Sequence, residues 1–208
     1  MSELGPGEFI EPVGVGPLPE PWPDDSRLDP ELLANGDRRN VVDKYRYWTV
    51  DAIVADLDTH RTGLQIAIEN WQHDLNIGSI VRTANAFNVA GVHIVGKKDW
   101  NRRGAMVTDR YLHVHHHPDI PAFAKWATES DLPIIGIDNV PGSTPLEHAI
   151  LPCHCVMLFG QEGPGLSPEA MAACDAIHDI TQRGSTRSMN ASAAGAIAMY
   201  AYAMQHLH

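Results

Sequence analysis

The chain has 208 residues and a formal net charge of −11, a length that suits one domain, or one domain with an appendage, and buries a sizeable core. No apolar run approaches the roughly 20 residues of a membrane span, and the opening MSELGPGEF lacks the basic and apolar regions of a signal peptide. Three cysteines make no disulfide framework, so the expectation is a reduced, cytoplasmic protein without a membrane partner.

The negative charge argues against a polyanionic partner only until its distribution is considered. Residues 1–37 hold nine acids and one base and carry −8, which leaves −3 for residues 38–208. A local basic patch on that near-neutral body is compatible with the composition.

Residues 1–30 contain seven of the 15 prolines and little hydrophobic periodicity, the composition of an extended or disordered lead. Residues 31–62 read as a helical extension. Asp29-Pro30-Glu31-Leu32-Leu33 carries the cap, first-turn proline and acidic first turn of a helix start. Val50, Ile53, Val54 and Leu57 mark a second amphipathic helix. Arg38, Arg39, Lys44 and Arg46, interleaved with Tyr45, Tyr47 and Trp48, fit equally a nucleic-acid-facing surface or an ordinary charged cover over the core.

From Gly63 the texture becomes alternating strands and helices. Strands are expected at Leu64–Ile68, Val92–Val95, Tyr111–Val114, Pro133–Ile137, Cys155–Phe159 and Ile177–Ile180. Helices are expected after Asn76 and at Ile120–Ala127, Pro168–Ala173 and Ser188–Leu207. The implied fold class is α/β, a mainly parallel sheet covered by helices, over residues 63–208. In the helix that Asn76 opens as a cap, Ile77, Ile80, Val81, Ala84 and Phe87 form one buried face. Asn88-Val89-Ala90-Gly91 supplies its exit. The single charged side chain on it is Arg82.

Ligands of such sheets bind at the carboxyl ends of the strands. Leu64–Ile68 is followed by Glu69-Asn70 and by no G-x-G-x-x-G, which speaks against a nicotinamide dehydrogenase and against the methyltransferase fold that reads its nucleoside after strand one. The glycines come late, in Phe159-Gly160-Gln161-Glu162-Gly163-Pro164-Gly165-Leu166. Their bare backbone can approach a ligand closely, and without a following lysine it suits an adenine ring or amino-acid moiety better than a phosphate. A turn that needs glycine sterically is the plainer reading. Ser188-Met189-Asn190-Ala191-Ser192 opens the last helix, where free N–H groups hold negatively polarised groups. Ser188 and Asn190 also fit simple caps. Ala193, Ala194, Gly195 and Ala196 permit close helix approach.

The 97–110 loop sets Lys97, Lys98, Arg102, Arg103 and Arg110 against Asp99 and Asp109, a local +3. It follows strand Val92–Val95 directly, on the ligand edge, and suits contact with a polyanion backbone better than a solvated loop. His113, His115, His116 and His117 look like a metal cluster, but residues along a strand alternate faces, so they read as surface residues. Cys153 and Cys155 lack the second pair of a zinc site, and no metal is expected.

Together the order N-x5-N-x5-R-T-A-N-A-F (Asn70, Asn76, Arg82), F-G-x-E-G-x-G-L (159–166) and S-M-N-A-S (188–192) resembles the three motifs of SpoU-type RNA ribose 2′-O-methyltransferases of the SPOUT class, over about Leu64 to His206. Ile180-Thr181-Gln182 stands where that family has Ile-Pro-Met, and Met189 and Ala191 replace Leu and Val. The swaps at Met189 and Ala191 keep an apolar character. The 97–110 loop departs more, in the region expected to bear on which RNA is bound.

The resemblance implies helices on both sheet faces, a C-terminal trefoil knot, a homodimer, S-adenosylmethionine as cofactor, and tRNA or rRNA rather than DNA as partner. It implies that Gly136, Phe159, Gly160, Gly165, Ile180, Thr181, Ser188 and Met189 surround the cofactor. The catalytic set it implies is Asn76, Arg82, Glu162, Ser188 and Asn190, with Arg82 central. In-line methyl transfer needs the hydroxyl held against the methyl carbon and its proton removed. The family proposal makes the arginine a base, yet a guanidinium in a protein is treated as permanently charged. A second version keeps Arg82 charged, gripping a phosphate and stabilising the developing alkoxide. Asn76, Glu162 and Asn190 then orient groups. The rivals are a silent RNA-binding module, disfavoured because every catalytic residue is present, and a SPOUT base methyltransferase, disfavoured by Arg82 with Ser188 and Asn190.

Overall fold

The computed structural model describes residues 14–71 and 76–207, in two compact units, Met1–Asp56 and Leu57–His208. Residues 1–13 of the expected lead lie outside the described residues, as do 72–75.

Residues 14–29 follow an irregular course with almost no regular secondary structure, tied down by a few backbone hydrogen bonds. Val15 and Asp37 exchange two backbone hydrogen bonds of 2.9 Å, and Leu18 donates to the Leu33 carbonyl at 2.9 Å. Proline fixes φ in advance, so ordering this stretch costs less entropy than its composition suggests. Helix α1 (Pro30–Asn35) starts on the Asp29 side chain, which accepts the Glu31 N–H, and ends at Gly36 with φ 87; helix α2 spans Val50–Asp58. Asp37 is fully buried. Burial alone would raise its pKa, but the Arg39 guanidinium and the N–H groups of Arg39 and Tyr47 hold it at about 2. Lys44 pairs with Asp56 at 2.6 Å, Arg46 donates to the Arg39 carbonyl at 2.7 Å, and Tyr45 and Trp48 are buried. These cations serve the unit's own structure, which favours the charged-cover reading.

The second unit is a seven-stranded parallel sheet. In chain order its elements are β1 (Leu64–Asn70), α3 (Asn76–Ala86), β2 (Gly91–Gly96), β3 (Val114–His117), α4 (Ile120–Glu129), β4 (Ile134–Ile137), β5 (Thr144–Pro145), β6 (Cys155–Phe159), α5 (Pro168–Ala173), β7 (Ala176–Asp179) and α6 (Ala191–His206). The spatial order is β3-β2-β1-β6-β4-β7-β5, with every neighbouring pair parallel. Strands β2, β4 and β6 are buried throughout, which explains their unbroken apolar runs.

The period-two alternation splits the core in two. Leu64, Ile66, Ile68, Cys155, Met157 and Phe159 face Ile77, Ile80 and Val81 of α3 and Met199 and Tyr202 of α6. Ala67, Val95, Val156 and Leu158 face Phe123 of α4 and Ala170 of α5. Helices therefore cover both faces. Gly195 of α6 lies against Ile80, where a Cβ would sit 3.3 Å from a side-chain carbon. Asn88 ends the α3 segment with φ 47, as its position suggested.

Several elements differ from expectation: β5 was not among the expected strands, and Asn76 is the first helical residue of α3 with its Oδ1 accepting from Asn190 Nδ2. The third strand begins at Val114 rather than Tyr111, because Thr108–Tyr111 forms a 3-10 turn that buries Tyr111. The last helix begins at Ala191, not Ser188, because Asn190 is its cap. The histidine reading also needs correction. His113, His115 and His116 are exposed, but His117 is buried. Its Nε2 lies 2.9 Å from Nδ1 of fully buried His93, whose Nε2 lies 2.7 Å from Gln65 Oε1. Gln65 Oε1 only accepts, so His93 donates from Nε2 and accepts from His117 at Nδ1. Trp126 covers His93 at 3.9 Å between ring centroids. Burial, with His115 and His117 nearby, pushes the His93 pKa down to about 3.

Candidate active site

The site is built where β4 and β6 end side by side. After Phe159 the chain turns back at once: Gln161 and Gly165 exchange backbone hydrogen bonds of 3.1 and 3.0 Å. A Cβ on Gly160 would lie 2.1 Å from the Gly165 carbonyl carbon, so this glycine is a steric requirement of the turn, as the plainer reading held. Gly165 has φ 74, and a Cβ there would meet Asp138 Oδ2 at 2.3 Å. The Asp138 carboxylate accepts the Leu166 N–H at 2.7 Å, and fully buried Glu69 accepts the Ser167 N–H at 2.8 Å. Two carboxylates at strand ends thus hold the far side of the glycine turn.

The segment after β7 forms the opposite wall. Ile180, Met189 and Ala194 join Ile137 and Phe159 as its apolar part, and Gln182, Ser188 and Asn190 face Asp138, Gln161 and Glu162 as its polar part. The cavity between them is about 430 Å³, within the range of roughly 300–1,000 Å³ usual for small-molecule sites. Among the described residues the wall carries two carboxylates and no lysine or arginine, which suits a cationic ligand and opposes a phosphate. Gln161 Oε1 is buried without a hydrogen-bond partner among the described residues, an acceptor left for a ligand N–H.

Asn76 ties the cavity to α3. Its Nδ2 donates to Glu162 Oε2 at 2.5 Å, and its Oδ1 accepts from Asn190 Nδ2 at 2.8 Å. Asn190 also caps α6, its Oδ1 accepting from Ser192 and Ala193 N–H groups at 3.0 and 3.2 Å. The cap and the functional reading hold together here, because an asparagine has both a donor and an acceptor end.

Of the expected residues, Glu162, Ser188, Asn190, Phe159, Gly160, Gly165, Ile180 and Met189 line the cavity, and Asn76 touches two of them. Three stand apart. A Cβ on Gly136 would point at Cys174 Sγ, 2.8 Å away, so its bareness serves packing under the sheet. Thr181 is exposed and its hydrogen bond to the Glu147 carboxylate keeps that group below the usual carboxylate range. Arg82 is exposed on the outer face of α3 and is not on the cavity wall.

Sequence reasoning missed Asp138, Asn139, Gln161 and Gln182 on the wall. Asp138-Asn139 directly follows a strand, on the edge where ligands bind, and that position was the available signal. Lys97, Lys98, Arg102, Arg103 and Arg110 are all exposed. Their loop is rooted by Asn70, whose Nδ2 donates to the carbonyls of Lys97 and Asp99 at 2.7 and 2.9 Å. Arg102 pairs with Asp109 at 3.1 Å.

Comparison with known proteins follows the same boundaries. A model of the SpoU rRNA Methylase family matches residues 63–200. A protein of Mycolicibacterium vanbaalenii described as an uncharacterized tRNA/rRNA methyltransferase is 29% identical over 185 residues, 84% of this chain and 58% of that protein. This chain therefore spans little more than half the length of that relative. Among solved structures, the TrmH/SpoU tRNA modifying enzyme of A. aeolicus matches with a TM-score of 0.66 at 21% identity, over 75% of this chain and 81% of that one. A SpoU methyltransferase from Streptomyces viridochromogenes, solved with the cofactor AdoMet, matches with a TM-score of 0.62 at 22% identity, over 72% and 60%. At these identities the structural likeness speaks to fold.

Proposed function

The chain belongs to the SpoU rRNA methylase family, and we propose that it transfers a methyl group from S-adenosylmethionine to a ribose 2′-hydroxyl of a structured RNA, tRNA or rRNA, in the cytoplasm. The observation that carries this reading is the cavity whose described wall holds two carboxylates and no lysine or arginine, joined through Asn76 to Glu162 and Asn190. A sulfonium with an ammonium group and an adenine matches that wall. Phe159, Ile180 and Met189 would hold the apolar parts, and the backbone of 160–165, Gln161 and Asp138 the polar ones. The bound cofactor would supply an electrophilic methyl group.

The residues divide the remaining work. Asn76, Glu162 and Asn190 form one hydrogen-bonded chain that fixes the edge of the cavity on α3 and on the start of α6. Ser188 presents a hydroxyl beside it. Arg82, exposed rather than enclosed, is suited to gripping an RNA phosphate and steadying the developing alkoxide in its charged form. We favour that role over a neutral base, because a guanidinium in a protein is treated as permanently charged.

We further propose a methyltransferase domain at 63–208 preceded by a helical extension at 31–62, with the segment after β7 completing a trefoil knot. The late insertion of β6 between β1 and β4 supports a non-sequential path of this kind. We propose a homodimer through α6. Ile197, Tyr200, Met204 and Leu207 are 42%, 58%, 51% and 43% exposed and recur along one side of the helix, opposite the side packed on α3. A helix apolar on both sides has a second surface to bury.

Titration calorimetry with S-adenosylmethionine tests the cofactor assignment. One site per chain is expected, lost in Gly160→Val. A folded protein that takes up no cofactor would favour the RNA-binding module.

A further inference from the structure

The 97–110 loop holds two residues that the charge pattern does not explain. Met106 and Val107 have φ 49 and 65, consecutive left-handed positions in residues that are not glycine. That conformation is costly, and for a β-branched residue such as Val107 it is an outlier. Both side chains nevertheless point outward, 60% and 55% exposed, so no core packing compensates the strain. Backbone strain of this kind concentrates where a binding geometry is preset.

The surroundings are closely packed. A Cβ on Gly78 would lie 2.8 Å from the backbone nitrogens of Gly104 and Ala105, so the loop is seated backbone to backbone on the first turn of α3, two residues from Asn76. Ala105 and Thr108, on either side of the pair, are buried, and the Thr108 hydroxyl donates to the Ala105 carbonyl at 2.7 Å. The tip is held firmly while its two apolar side chains are held out. The same loop carries exposed Lys97, Lys98, Arg102, Arg103 and Arg110, cations complementary to phosphates.

We propose that Met106 and Val107 form an apolar wedge that contacts an unpaired nucleobase of the bound RNA, beside the ribose to be methylated, while the cations of the same loop hold the backbone. The proposal rests on the RNA-methyltransferase reading above. An apolar tip on a basic loop matches a splayed base between its phosphates. The strained backbone presets the tip before RNA arrives.

The test uses the full chain, bulk deacylated tRNA and total rRNA as probes, and filter binding at several salt concentrations. The double variant Met106→Gly/Val107→Gly removes the side chains and relieves the strain. Its melting temperature is expected to stay level or rise, while RNA binding weakens about tenfold. Because an apolar contact releases no counterions, the slope of log Kd against log salt should not change. Lys98→Ala/Arg103→Ala should instead reduce that slope. Binding within twofold of wild type, a changed salt slope, a lowered melting temperature, or a shift in oligomeric state by sedimentation would each overturn the wedge. A wild-type chain that binds RNA but transfers no methyl group refutes the enzymatic reading and leaves the wedge to be judged on its binding ratio.

Discussion

Asn76→Asp changes one atom of the site and, of the two side-chain contacts described above, the one to Glu162. The Oδ1 acceptor for Asn190 Nδ2 is retained, whereas the Nδ2 donor 2.5 Å from Glu162 Oε2 becomes a carboxylate oxygen. Loss of a hydrogen bond to a charged group costs about 1.5–3 kcal/mol, and two unit charges at this distance repel by about 1.7 kcal/mol even in bulk water. Glu162 is exposed and can swing away, so the expected net destabilisation is about 2–4 kcal/mol at pH 8, or roughly 5–12 °C in Tm. The sign with pH follows from linkage. One of the paired carboxyls titrates above its unfolded value of about 4. Its stability contribution is therefore complete below that pH and lost as pH rises through the folded value. Thermal melts of variant and wild type from pH 4.5 to 8 should show a gap that widens with pH, while the gap for Asn76→Ala stays flatter. A gap that is constant, or that narrows as pH rises, would refute the Asn76–Glu162 contact as the cause.

Arg82→Ala should lower kcat/KM for RNA by about a hundredfold and leave cofactor affinity unchanged, with Arg82→Lys in between. Similar activity of Lys and wild type across a pH series would rule out a special guanidine base. His93, held neutral down to about pH 3 against an unfolded value of 6.5, makes stability fall as pH drops through that window, by up to about 1.4 kcal/mol per pH unit. His115 and His117 are shifted the same way by burial and steepen it. His93→Gln should flatten the acid limb in melts from pH 7 to 4. Gly160→Ala, whose Cβ meets the Gly165 carbonyl carbon, should weaken cofactor binding at least tenfold by calorimetry. Tyr200→Glu/Met204→Glu should convert dimer to monomer by sedimentation.

How much was legible depended on whether signal was local. Cys155–Phe159 and Pro168–Ala173 were read to the residue, and the structure shows why the helix is so sharply bounded, with Ser167 as its cap and a proline in its first turn. Val114–His117 was misplaced because an edge strand with three exposed residues carries no apolar pattern. The glycine turn and the Asn190 cap were visible as motifs, but not that Asn76 joins them across 86 and 114 residues of chain. Long-range pairing leaves no periodicity. Arg82 is the instructive case. Six residues on a helix advance about 600°, so Asn76 and Arg82 cannot share a face. The spacing therefore already separated the two, but it did not say which of them turns into the site.

The most direct test incubates the chain with labelled S-adenosylmethionine and total tRNA and rRNA, then digests the RNA and maps the labelled nucleoside. The expected product is a 2′-O-methylated nucleoside, formed by wild type and lost in Arg82→Ala. Label on a base, or no label on any RNA from a chain that binds the cofactor, would contradict the ribose methyltransferase assignment.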